Sequence, residues 1–143
     1  YEVIEPVRAL ELAPVRKLAR MAEAHTRLMI ATKHFQRSVW EGVEMHWRGA
    51  LTPEQRGALE ELLKTRENYS ALFRAEMTVA RDAGDLVFEN LSITNQLMFM
   101  TLNSPIFWYK PRPGETDADI DRLVRQIVQF ALRGLGASKE LTE

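Results

Sequence analysis

The segment LTPEQRGALEELLKTRENYSALFRAEMTVARDAGD, residues 51–85, predicts the longest helix of the chain. Thr52 is a suitable N-cap, Pro53 suits the first helical position, and Gln55 completes a capping-box pattern. We therefore predict a helix from Pro53 to near Gly84, about 45 Å long at 1.5 Å per residue, that forms the spine of the domain. Apolar side chains recur along it at helical spacing: Leu59, Leu62, Leu63, Tyr69, Leu72, Phe73, Met77 and Ala80.

Two amphipathic helices are predicted before this spine. Apolar residues recur every three or four positions over residues 11–31, and a second such pattern covers residues 34–49. Trp40 and Trp47 lie two helical turns apart on one face, where they either wall a pocket or fill the core. His25 lies on the apolar face of the first helix, a position that suits either a hydrogen-bonded core histidine or a ligand contact.

Two further helices are predicted after the spine. The first covers residues 88–103, and Pro105 is expected to hold Ser104 outside the helical region. The second has Thr116 as its N-cap and ends at Gly134. Its apolar residues cover more than half of its circumference, so we expect it to be buried on two sides: Ile120, Leu123, Val124, Ile127, Val128, Phe130, Ala131, Leu132 and Leu135.

The segment NSPIFWYKPRPGE, residues 103–115, joins these last two helices. Its three prolines and one glycine are expected to stop one helix and to orient the next. Phe107, Trp108 and Tyr109 are predicted to seal this corner against the core or a second subunit. Residues 137–143 are predicted to form a frayed tail. These patterns together predict an all-α fold, a bundle of about six helices.

Composition fits one domain over residues 1–143, with 45% hydrophobic and 27% charged residues. The chain has no cysteine, which excludes disulfides and thiolate chemistry and suits a cytoplasmic location. Its net charge is −1 and its basic residues are scattered, so we expect no nucleic-acid binding by this segment alone. Since Tyr1 stands where an initiator methionine would, and no membrane-length apolar run or signal pattern follows, we interpret the chain as a soluble fragment of a longer protein.

Catalytic and metal-binding patterns are not found in the sequence. None of the three histidines has a partner at the spacing of a metal site, and glycine-rich phosphate loops and nucleophile elbows are missing. We therefore predict no enzyme activity, no metal and no cofactor. The six methionines suit either the core or an adaptable apolar cavity.

Four segments in order resemble a known family: LTPEQR, RENYSALFRAEMTVARDAGDL, LMFMTLNSPIFWYKPRPGE and IDRLVRQIVQFALRGL. Together they resemble the C-terminal effector-binding and dimerisation domain of TetR/AcrR-family transcriptional repressors, especially those close to regulators of lipid and sterol catabolism. The resemblance extends over residues 15–135. One position differs, because Phe107 stands where many relatives carry arginine before the Trp-Tyr pair.

The resemblance implies a homodimer in which the last two long helices form a four-helix bundle with their copies. It also implies a helix-turn-helix domain before Tyr1 that binds operator DNA, and a small apolar or acyl-coenzyme A effector that changes this binding. The dimer interface is then expected at Leu97, Met100, Leu123, Ile127, Phe130 and Ala131. The effector is expected to contact Met21, His25, Trp40, Tyr69, Phe73, Met77, Thr94, Met98 and Trp108.

A helical protein-interaction module that uses the same apolar surface for a different chain is the main alternative to a ligand sensor. A helical-bundle enzyme is a more distant one. The sequence upstream of Tyr1 discriminates between them, because a basic helix-turn-helix there favours the regulator.

Overall fold

The computed structural model describes residues 1–142 and contains eight α-helices, five of them long and three of four residues each. In chain order they are α1 (Glu5–Arg8), α2 (Pro14–Ala31), α3 (Lys33–Trp47), α4 (Pro53–Asp82), α5 (Leu91–Asn103), α6 (Pro105–Trp108), α7 (Asp117–Gly134) and α8 (Lys139–Thr142). The described residues contain no strand. The predicted all-α class is therefore confirmed.

Side-chain caps begin the two helices whose starts the sequence marks most clearly. Thr52 and Gln55 form a complete capping box at α4, each side chain bonding to the other residue's backbone amide. Thr116 and Asp119 do the same at α7. These bonds satisfy amides that a helix start otherwise leaves unpaired, so both starts are confirmed as predicted.

Helix α5 ends at Asn103 as predicted, but its start and the conformation of Ser104 differ from the prediction. The helix begins at Leu91 instead of residue 88, because the Asn90 side chain accepts a 2.9 Å hydrogen bond from the Ile93 amide and caps it there. At the other end Ser104 stays helical, with φ −51° and ψ −34°, so the prediction that Pro105 excludes it was wrong. Pro105 occupies the first position of α6, where a missing amide hydrogen costs nothing.

The two ends of the chain are also more ordered than the sequence indicates. Before α2, which starts at Pro14 instead of residue 11, the α1 turn brings Ile4 into the core with no exposed surface. Within the predicted frayed tail, α8 forms a helical turn that contacts α2, and Ala137 is buried. Residue 143 of that tail lies outside the described residues.

The core lies around α2, which contacts α4, α5 and α7. Its buried side chains at helical spacing, among them Val15, Leu18 and Met21, meet the buried stripes of those three helices. On α4 this stripe includes Phe73 and Met77, both without exposed surface. Burying apolar surface is the main stabilising contribution in such a bundle, and helix α2 is therefore its structural centre.

A close backbone contact ties the α4–α5 connection to the end of α7. The Val87 amide donates a 2.9 Å hydrogen bond to the Leu135 carbonyl. Gly136 follows with φ +87°, and a Cβ atom there would lie 2.7 Å from the Val87 backbone nitrogen. Only glycine fits this position without moving the backbone.

None of the helices within residues 1–142 combines the length and the apolar character that a transmembrane span requires.

Candidate functional site

A cavity of about 740 Å³ lies between α2, α4 and α5, with Gln36 of α3 in its wall. Its volume falls within the usual range for small-molecule sites. The cavity combines apolar and aromatic side chains with amides, hydroxyls and a few charged groups. The lining residues are Tyr1, His25, Leu28, Met29, Gln36, Leu63, Thr65, Arg66, Glu67, Tyr69, Ser70, Arg74, Ser92, Asn95, Gln96, Phe99 and Asn103.

Aromatic rings from three helices form one wall of the cavity. The His25 ring centroid lies 5.2 Å from that of Phe99, 5.5 Å from that of Tyr69 and 5.9 Å from that of Phe73. Phe73 is fully buried and supports the other three rings from behind. Because aromatic rings at these distances attract one another and have few rotamers, the wall is a stable apolar surface.

The buried His25 side chain joins α2, α4 and α5 through two hydrogen bonds. Its Nδ1 atom lies 2.9 Å from the Tyr69 hydroxyl oxygen, and its Nε2 atom lies 2.6 Å from Asn103 Oδ1. An amide oxygen only accepts, so we assign the ring proton to Nε2, and Nδ1 then accepts from the Tyr69 hydroxyl. His25 is thus a bonded core histidine and a cavity residue at the same time.

Burial keeps this group of side chains uncharged. Loss of water lowers the pKa of His25 to about 4, against the opposing effect of its bond to Asn103, and the nearby positive charge of Arg66 lowers it further. Burial raises the pKa of the Tyr69 phenol above its usual value of 10. At neutral pH the inner part of the cavity therefore presents a neutral imidazole and a protonated phenol.

Arg66 lies at the polar side of the cavity. Its Nη2 atom donates a 2.5 Å hydrogen bond to Oε1 of Gln36, a buried amide on α3. Arg66 is an exposed residue; partial loss of water lowers its pKa, yet an arginine side chain stays protonated at neutral pH. A neutral amide therefore orients a positively charged guanidinium over the cavity.

A second arginine of the cavity, Arg74, forms an ion pair and a hydrogen bond within the chain. Arg74 forms an ion pair with Glu67 and donates a 3.0 Å hydrogen bond from Nη1 to the Ser70 hydroxyl. Asn95 of α5 donates a 2.7 Å hydrogen bond to the same hydroxyl. This network links α4 to α5 beside the aromatic wall and neutralises the charge of Arg74.

The structure brings together only some of the residues that the sequence predicted for a ligand. His25 and Tyr69 line the cavity, and Phe73 lies directly behind them. Met21, Met77 and Met98 are fully buried core residues instead. Thr94, Trp40 and Trp108 do not line it.

Trp40 lies in a separate aromatic cluster on the outer side of the bundle. Its ring centroid is 6.3 Å from that of Trp47 and 5.6 Å from that of Phe107. Trp108 is 52% exposed. Phe107 therefore packs against Trp40 of α3, and it is not inserted into the core as the sequence pattern allowed.

Several cavity residues were missed by sequence reasoning. Arg66 precedes Tyr69 and Ser70 by three and four positions, a spacing that places all three on one face of α4 and could have identified the arginine. Phe99 follows Asn95 by one turn on α5 in the same way. Gln36 had no comparable signal, because its role depends on how α3 packs against α4.

The residues predicted for a dimer interface divide into two groups. Leu97, Met100 and Phe130 are 63%, 57% and 71% exposed, respectively, although all three are apolar. Ile127 and Ala131 belong to the core of this chain, and Leu123 is partly buried against that core. The exposed apolar residues of α5 continue at Ile93, so positions 93, 97 and 100 form a stripe along one face.

Within residues 1–142, no cluster of three or more histidines and carboxylates could hold a metal ion.

Most of the chain matches the model of one known protein family. A family model described as "Tetracyclin repressor-like, C-terminal domain" matches residues 11–135. This range runs from just before α2 to the end of α7, and it includes the exposed apolar stripe and every residue that lines the cavity except Tyr1. Among curated proteins, none matches the chain significantly.

Proposed function

The chain belongs to the tetracyclin repressor-like C-terminal domain family, and from this premise we propose that it is the ligand-sensing and dimerisation domain of a transcriptional repressor. The observation that carries the proposal is the 740 Å³ cavity between α2, α4 and α5. A cavity of this size with an apolar wall and a few oriented polar groups has the usual composition of a small-molecule site.

We propose an effector with an apolar body, either free or as a coenzyme A thioester. The rings of His25, Tyr69 and Phe99 support an acyl or polycyclic body by apolar contact. The exposed polar side chains of Ser92 and Gln96 lie at the surface end of the cavity. A polar group attached to the effector could therefore stay in water while its apolar body is buried.

The signal that we propose passes through α5. This helix contributes Phe99 and Asn103 to the cavity on one side and carries the exposed stripe at Leu97 and Met100 on the other. A ligand that binds one arrangement of α5 better than another shifts the population of the dimer towards that arrangement. In the full protein, an N-terminal helix-turn-helix domain would convert this shift into a change of operator binding.

A thermal-shift panel tests the ligand-binding part of the proposal. The chain is heated with fatty acids, sterols and acyl-coenzyme A thioesters, each at concentrations up to about 1 mM. At least one compound is expected to raise the melting temperature in a concentration-dependent way, because binding to the folded state alone stabilises it. A flat response to all three classes contradicts an apolar or acyl effector.

The sequence that precedes Tyr1 in the full protein tests the DNA-binding part. The proposal requires a helix-turn-helix with a basic recognition helix there, together with operator binding that a cavity ligand weakens in a gel-shift titration. A domain of another class in that place would favour a protein-interaction module.

A further inference from the structure

The cavity contains one exposed cationic side chain, Arg66, that has no carboxylate partner among the described residues. Three lining side chains are charged at neutral pH: Arg66, Arg74 and Glu67. Arg74 and Glu67 form an ion pair with each other. His25 also lines the cavity, and burial holds it neutral. Among the side chains that line the cavity, one positive charge, that of Arg66, therefore remains.

Arg66 has no carboxylate partner among the described residues. A hydrogen bond to Gln36 holds its side chain at the cavity. Its guanidinium is held by the buried amide of Gln36, at 2.5 Å. A glutamate at position 36 would have neutralised the guanidinium. The neutral side chain of Gln36 orients the guanidinium and does not cancel its positive charge. Its remaining donors are free to bind a planar anion.

The position of Arg66 on α4 sets its distance from the aromatic wall. Arg66 and Tyr69 are three residues apart, so their side chains lie on one face about one helical turn, or roughly 5 Å, apart along the axis. A molecule whose apolar body packs on Tyr69 and Phe99 can thus place one end at the guanidinium.

We propose that the effector is a free monocarboxylic acid with an apolar body, and that Arg66 binds its carboxylate. This inference rests on the proposed function and narrows its ligand class. One uncompensated charge matches a monoanion better than a phosphate dianion, and a guanidinium binds a carboxylate through two parallel hydrogen bonds. A methyl ester or a neutral sterol cannot form this ion pair, so each should bind more weakly.

The test compares matched compounds by isothermal titration calorimetry. The probes are decanoate, methyl decanoate, decyl phosphate and decanoyl-coenzyme A, with lithocholate and its methyl ester as a polycyclic pair. We expect each acid to bind about 10- to 100-fold more tightly than its ester, because a hydrogen bond between charged groups contributes more to binding than one to a neutral ester. The acids should also bind more tightly than the phosphate and the thioester.

Two variants of α4 assign this preference to one side chain. Arg66→Leu should remove the advantage of the acid while leaving ester binding within about twofold, and Arg66→Lys should keep part of it. Arg56→Leu is the matched control, because Arg56 is an exposed arginine of α4 that does not line the cavity. It should bind the acids as the unaltered chain does.

The possible failures are distinguishable. Three outcomes overturn the carboxylate inference and leave the ligand-sensing function intact. They are equal affinity for acid and ester, stronger binding of the thioester or the phosphate, and an equal loss of affinity in Arg56→Leu and Arg66→Leu. No binding by any probe contradicts both.

Discussion

His25 of α2 connects three helices of the cavity through hydrogen bonds to α4 and α5. It accepts a hydrogen bond from Tyr69 of α4 and donates one to Asn103 at the end of α5. Burial lowers its pKa to about 4. Its neutral form is therefore part of the native structure, and protonating it would place an uncompensated charge beside Arg66.

The free energy of unfolding should consequently decrease as the pH falls below neutrality. In the unfolded chain His25 has its ordinary pKa of 6.5, whereas in the native chain its pKa is about 4. Between these two pH values, unfolding is therefore accompanied by the uptake of a proton at His25. The contribution of His25 to the free energy of unfolding is complete at pH 7 and falls by about 2 kcal/mol at pH 5. Urea denaturation at both pH values, for the chain and for His25→Gln, measures it.

The comparison with His25→Gln separates this effect from carboxylates that titrate in the same range. The variant should be less stable at pH 7 and should lose about 2 kcal/mol less on acidification than the unaltered chain. Equal losses in the two proteins would show that His25 does not carry the pH dependence.

At the level of the side chains, the sequence predicted the site only in part. His25 was recognisable because a histidine on an apolar helix face needs partners, and Tyr69 because it lies on the apolar stripe of the longest helix. The methionines were not separable from the core by periodicity, since core and cavity residues share one spacing. Gln36 and Arg66 depend on contact between α3 and α4, which no local pattern encodes.

Helices and their starts were largely predictable, because they depend on local chemistry. The capping box at Thr52 and the N-cap at Thr116 are formed as predicted, and Asp119 completes a second capping box that was not predicted. The errors lie where two local preferences compete: Pro105 was expected to end helical structure at Ser104, but it starts the next turn instead. The contact of Val87 with Leu135 is distant in sequence, so no local pattern could predict it.

Two glycines, one in the turn after α7 and one inside α3, should respond oppositely to alanine. Gly136→Ala places a Cβ atom 2.7 Å from the Val87 nitrogen at φ +87°, so we expect a loss of about 2 kcal/mol or more in the free energy of unfolding. Gly42 lies inside α3 with open space where an alanine Cβ would lie, and Gly42→Ala should gain up to about 1 kcal/mol. Urea denaturation of both variants checks this, and an unchanged Gly136→Ala would contradict the close contact.

At the scale of the whole molecule, the exposed apolar surface of α5 and α7 supports a homodimer. Leu97 on α5 and Phe130 on α7 are 63% and 71% exposed, respectively. Large exposed apolar side chains in such groups are typical of interaction surfaces. Sequence periodicity indicated that α7 is buried on two sides, but it could not separate Ile127, which faces this chain's own core, from Phe130.

Aspartate at either exposed position should dissociate the dimer. We expect the chain to sediment as a dimer at micromolar concentration, and Phe130→Asp or Leu97→Asp to raise the dissociation constant about 100-fold or more, because burying an unpaired charge is costly. Phe35→Asp, at an apolar residue of α3 that is 63% exposed, is the control and should remain dimeric. A monomeric unaltered chain, or equal dissociation by all three variants, would contradict this interface.

The effector is proposed to bind in the cavity between α2, α4 and α5, and two neighbouring variants of α4 test this location. Leu63 lines the cavity and Leu62 does not, although both are half-buried on α4. The measurement is calorimetric titration of Leu63→Trp and Leu62→Trp with the compound that stabilises the unaltered chain most. We predict a loss of affinity of about 10-fold or more in Leu63→Trp, whose indole occupies the cavity, and unchanged affinity in Leu62→Trp. Equal affinity in both variants would contradict binding at this site.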